Sequence, residues 1–112
     1  METNINKSIK QSEVFFVDTR EHHHYNSFDK IKKLLNSVKY DDIIKKNDLV
    51  AIKIHFGEYG NSAFIRPQFI RIIVDELKKI GAKPFLTDGS TLYKGSRSDA
   101  VNHLETAIKN GF

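Results

Sequence analysis

Three times along the chain a short apolar run gives way to a polar loop and then to a stretch of helical period, and this alternation constrains the fold more than any other feature. The apolar runs are residues 14–18 (VFFVD), 49–56 (LVAIKIHF) and 83–88 (KPFLTD). The second is apolar on both alternating faces until Lys53 and His55. That is the habit of a strand covered on both sides in a parallel sheet. The helical stretches place apolar residues three and four apart: Phe28, Ile31, Leu34, Leu35 and Val38, then Phe69, Ile70, Ile73, Val74, Leu77 and Ile80, then Val101, Leu104, Ala107 and Ile108. In the first of them Lys30, Lys32, Lys33 and Asn36 fall on the opposite, solvated side. The order βαβαβα predicts a three-layer α/β fold, with a parallel sheet of about three strands and right-handed crossovers.

Local signals set the boundaries. Ser27 is a candidate N-cap for a first helix over residues 28–39, with one more turn over residues 41–46 before the Asn47-Asp48 turn. Pro67 suits the first position of the second helix, and Ser98 can cap the third. Gly81 and Gly111 stand where left-handed residues close helices. Residues 1–13 are polar and predicted to be frayed, and residues 14–112 form a single α/β domain. The third unit reaches Gly111-Phe112 where a further strand is due, and three strands leave unpaired edges. The expectation is the amino-terminal part of a larger domain, or a chain that completes its sheet as a homo-oligomer. A terminal helix closing a compact unit is the alternative.

Hydrophobic residues make up 39% of the 112, enough for a core, and cysteine is absent. No disulfide, thiol nucleophile or iron–sulfur cluster can be built from this chain's own residues. The apolar runs are too short for a membrane helix, and the first thirteen residues lack the apolar region of a secretory signal. A cytoplasmic home is therefore expected. The net charge is +4, divided as +1 over residues 1–48 and +3 over residues 49–112, so neither part is strongly polarised. Lysines 30, 32, 33, 39, 45 and 46 are interleaved with Asp29, Asp41, Asp42 and Asp48 and lack a row of aromatic residues. They read as a solvated helix face, not as a nucleic-acid surface.

Ligands of open parallel sheets bind outside the carboxyl ends of the strands. All three predicted strands end in polar residues: Asp18-Thr19-Arg20, Lys53-Ile54-His55 with Glu58 beyond, and Thr87-Asp88-Gly89-Ser90. Lys53 and His55 are two apart and share a face of their strand. Arg66 and Arg97 precede helices, where free amides and the helix dipole favour an anion. Ser90, Thr91, Tyr93 and Ser96 add hydroxyl groups. The pattern points to a small anionic ligand held by Lys53, Glu58, Arg66, Asp88, Ser90, Tyr93, Ser96 and Arg97, with His55 as the candidate acid or base.

Other chemistries have weaker support. His55, Glu58 and Asp88 are the metal-ligand candidates, but their spacing fixes no geometry. Ser90, His55 and Asp88 supply the residue types of a triad without the tight turn that exposes a nucleophile. His22, His23 and His24 read as a solvated loop, and His103 as a packed or solvent-facing helix residue. Neither a dinucleotide fingerprint nor a P-loop is present.

Several separate blocks carry a family resemblance: residues 48–58 (DLVAIKIHFGE), Arg66-Pro67, residues 84–88 (PFLTD), residues 95–98 (GSRS) and residues 103–107 (HLETA). Together they resemble a bacterial and archaeal family of unknown function, described as uncharacterised iron–sulfur-centre proteins. The likeness covers about residues 14–112. It implies an α/β region of this kind, followed in longer relatives by a ferredoxin-like segment whose cysteines hold 4Fe–4S clusters. This sequence has no cysteine, so cluster binding is carried onto none of its residues. The resemblance implies a possible redox link but supplies no reaction. The two expectations are an anion- or substrate-binding region, enzymatic or not, and a non-catalytic module for protein interaction or self-association.

Overall fold

The structure, a computed structural model, describes residues 11–112. Of the polar segment expected to be frayed, residues 1–10 lie outside the described residues. The elements in order are α1 (Ser27–Ser37), α2 (Tyr40–Ile43), β1 (Leu49–Lys53), α3 (Pro67–Lys79), β2 (Lys83–Thr87) and α4 (Ala100–Lys109). This is a small α/β arrangement.

Helix α1 begins one residue earlier than expected. Its cap is Asn26, not Ser27: Asn26 Oδ1 accepts from the Phe28 and Asp29 amides, and Asp29 accepts from the Asn26 amide. This reciprocal box satisfies N–H groups that the helix itself leaves open. The helix stops at Ser37 because Lys39 turns left-handed, with φ at 51°. The chain restarts as the single turn α2.

Strands β1 and β2 pair in parallel, with Leu49 opposite Lys83 and Lys53 opposite Thr87. α3 makes the crossover between them. Pro67 stands at its start, and Gly81 leaves it with φ at 81°, as the sequence pattern predicts. Ile54 and Phe56 follow β1, and with Ile70 and Ala107 they form the buried core, flanked by Ile52, Ile73, Val74, Leu86 and Phe112.

Three expectations are corrected. Among the described residues the sheet has two strands where about three were expected: residues 14–18 lie in no strand, and Val14 and Phe16 are 89% and 86% exposed. The tail of that segment is captured by α1 instead. Lys30, assigned by its spacing to the solvated face, is buried, and its Nζ donates to the Asp18 carboxylate and to the Asp18 and Arg20 carbonyls. Second, β1 is covered on one face only. Val50 and Ile52 face the helices, while Leu49, Ala51 and Lys53 alternate onto an open face. Third, α4 is capped by Asp99, not Ser98, and turns His103, Thr106 and Ala107 inward. Small Ala107 lets the helix approach the sheet, and Thr106 Oγ1 lies 3.0 Å from the Ser96 carbonyl. The predicted inner residues Val101, Leu104 and Ile108 are consequently exposed. No helix of the described residues is long and apolar enough to cross a membrane.

Candidate functional site

Parallel pairing brings the carboxyl ends of β1 and β2 side by side, and the loops that leave them build the site. The register of Lys53 opposite Thr87 puts the lysine beside the next residue, Asp88, with Nζ 2.7 Å from Oδ1. The Gly89 amide donates to the same oxygen at 2.8 Å. The Asp88 side chain is nearly sealed from solvent. Burial alone would raise its pKa. The hydrogen bonds from Lys53 and the Gly89 amide, with the charges of Lys53 and Arg97, outweigh burial and hold it below the usual carboxylate range.

Beyond β1 the chain turns sharply at Gly57, whose φ is 85°. A Cβ there would lie 2.5 Å from the Phe64 ring and 2.9 Å from the Asn110 amide, so the position requires glycine. The turn sends Glu58 toward the loop after β2. Glu58 Oε1 accepts from the Tyr93 hydroxyl at 2.9 Å and from Arg97 Nη1 at 3.0 Å, and Ser96 Oγ lies 3.5 Å from Oε2. Glu58 beside the hydroxyl raises the pKa of Tyr93.

Arg97 is the centre of this arrangement. Its side chain is 6% exposed and lies between Glu58 and Asp88, with Nη2 3.5 Å from Asp88 Oδ2. Nη1 also abuts Nε2 of His55, whose Nδ1 accepts from the Gly57 amide at 2.8 Å. Both ring nitrogens of His55 thus face N–H donors. His103 reaches the same carboxylate from α4, with Nε2 3.4 Å from Asp88 Oδ2 and its ring edge-on to Phe56. Lys53 and Arg97 against Asp88 and Glu58 make a cluster whose formal charges cancel.

In front of the cluster lies an open cavity of about 640 Å³. His55, Glu58, Asn61, Arg66 and Tyr93 give it polar groups, and Phe64, Ile65 and Phe69 give it an apolar wall. Arg66 is exposed at the N-cap of α3 and supplies no side-chain cap to the helix. Among the described residues it forms no ion pair, so its charge faces the cavity uncompensated.

The structure therefore divides the predicted residues into two groups. His55, Glu58, Arg66 and Tyr93 line the cavity, while Lys53, Asp88, Ser96 and Arg97 join Glu58 in the ion cluster behind it. Ser90 lies exposed on the loop after Asp88. His55, Glu58 and Asp88 do not form a metal-ligand group among the described residues, because the Arg97 guanidinium occupies the space between the two carboxylates. No hydrogen bond among the described residues links Ser90, His55 and Asp88 as a triad would require. His103 and Lys30 were missed. Each looked like an ordinary helix position, and only the inward rotation of its helix buries it.

A parallel pair of strands joined by a helical crossover, with charged loops gathered at the strand ends, makes this a small α/β domain. A family model described as a domain of unknown function, DUF362, matches residues 50–112, and the chain belongs to that family. No curated protein matches the chain. No solved structure matches it.

Proposed function

We propose that the domain binds a small ligand with an anionic head and an apolar body in the cavity at the carboxyl ends of β1 and β2. The observation that carries this reading is Arg66, a guanidinium without an ion pair among the described residues, at the start of a helix and beside a wall of Phe64, Ile65 and Phe69. Lys53 and Arg97 already hold carboxylates, so they shape the cavity and leave the anion to Arg66. His55 and Tyr93 offer polar edges to the rest of the ligand. A redox role, as the family resemblance implies, would need cluster-holding cysteines from outside this chain.

Phenyl phosphate and inorganic phosphate are the probes, titrated by calorimetry into the wild type and Arg66→Ala. Phenyl phosphate should bind more tightly than phosphate, and the substitution should weaken it by about tenfold or more, the worth of one charged hydrogen bond. Equal affinity for wild type and variant refutes the reading.

A second reading has its own observation. Val101, Leu104 and Ile108 form an apolar stripe on α4, exposed at 69%, 65% and 62%. It favours self-association. Sedimentation should then show a concentration-dependent dimer that Leu104→Asp abolishes.

A further inference from the structure

We propose that the outer edge of β1 is a docking edge for residues 14–17 of the same chain, which add to the sheet as a third, parallel strand. The ladder leaves this edge open. Lys83 donates to the Asp48 carbonyl, and the Ile54 amide donates to the Thr87 carbonyl, so the even-numbered residues of β1 point their backbone at β2. By alternation Leu49, Ala51 and Lys53 point theirs outward. The corresponding position on the outer edge of β2 is Pro84, which has no N–H to offer. Of the two edges, only that of β1 presents an unbroken row of donors and acceptors.

Three observations select the occupant. Val14 and Phe16 are among the most exposed apolar residues of the described chain, whereas Asp18, directly after them, is clamped to α1 by Lys30. The segment is tethered at Asp18, while its apolar side chains stand in solvent. Second, α1 stands where the crossover of such a strand belongs. It packs on α3 through Phe28 against Phe69. The opposite flank of α3, with Arg71, Val74 and Lys78, lines the groove beside the outer edge of β2. α1 is therefore on the β1 side, and a right-handed strand–α1–β1 connection lays the incoming strand against β1. Third, Phe28 and Val38 of α1 are 44% and 52% exposed, an apolar face that lacks the layer beneath it. With Asp18 level with Asp88, Val14 and Phe16 alternate onto the core face beside Val50 and Ile52, while Phe15 and Val17 join Ala51 on the open face.

Docking would also carry Arg20, whose side chain is 84% exposed, to the strand-end edge beside Lys53. This consequence rests on the anion-binding reading; the pairing itself does not.

The test uses the whole chain. The amides of Ala51 and Lys53 should exchange slowly with deuterated solvent, and Phe16→Asp should speed them by about tenfold or more without melting α3. Because the chain has no cysteine, Phe15→Cys with Ala51→Cys gives one unambiguous cross-link. Mild oxidation should close it within a single chain. Unprotected Ala51 and Lys53 amides in the wild type overturn the proposal. A disulfide joining two chains also overturns it, in favour of a second copy on this edge. Arg20→Ala should weaken phenyl phosphate binding while the protection of Ala51 and Lys53 stays as in the wild type, which separates failure of the anion reading from failure of the strand.

Discussion

Replacing Arg97 by methionine tests whether the charge cluster holds the strand ends together. The guanidinium is 6% exposed, and its two carboxylate partners differ: Asp88 is 3% exposed and Glu58 is 32% exposed. Methionine fills the aliphatic volume, so the change reports chiefly on charge. Glu58 can turn to water, but Asp88 Oδ2 stays sealed, with Lys53 and Gly89 serving the other oxygen. The carboxylate keeps Lys53 but loses its buried cation, so the cost falls below that of a wholly unpaired charge, at about 1–3 kcal/mol. For a domain of this size that is a fall in Tm of roughly 5 °C or more. Urea unfolding at neutral pH measures it, and Arg71→Met provides the comparison. The Arg71–Asp75 pair lies on the surface, with side chains 74% and 45% exposed, and should contribute about 0.5 kcal/mol or less. Adding Asp88→Asn to Arg97→Met should cost less than the sum of the two single changes, because the sealed oxygen then carries no charge. An Arg97→Met loss no larger than that of Arg71→Met refutes the argument.

Two further outcomes follow from the same geometry. Gly57→Ala forces a Cβ onto the Phe64 ring at a left-handed position and should cost about 1–3 kcal/mol in urea unfolding, with Glu58 displaced from Tyr93 and Arg97. Asp88 is held below its unfolded value of about 3.8, so its stabilisation is complete above that pH and is lost as pH falls through the lower folded value. Acid unfolding followed by circular dichroism should therefore steepen below about pH 3.8, and Asp88→Asn should flatten that limb. An unchanged limb in the variant would show that other carboxylates carry it.

What the sequence by itself determined was, outside residues 14–18, the kind of element at each place and the edge at which polar residues gather. Period alone distinguishes the strand at Leu49 from the helix at Pro67, and Gly81 and Gly111 mark helix ends because their φ of 81° and 92° is easy only for glycine. The strand-end rule gathers Lys53, Glu58, Asp88 and Arg97 at one edge, and the structure joins these four in the ion cluster. Tertiary structure decided which face of each element is covered and which charges meet. The period of α4 favours Val101, Leu104, Ala107 and Ile108 as the inner face; of these only Ala107 packs on the core, and His103 turns toward Asp88, because close approach to the sheet rewards a small residue. Lys30 shows the same rule in reverse. Its position on α1 reads as solvated, and it is buried because the carbonyls and carboxylate of a distant loop converge on its ammonium group. The partners of Lys53 and Arg97 were equally hidden. A sequence names cations near strand ends, but only strand register and the turn at Gly57 determine that carboxylates of the same chain reach them first, leaving Arg66 to face the cavity.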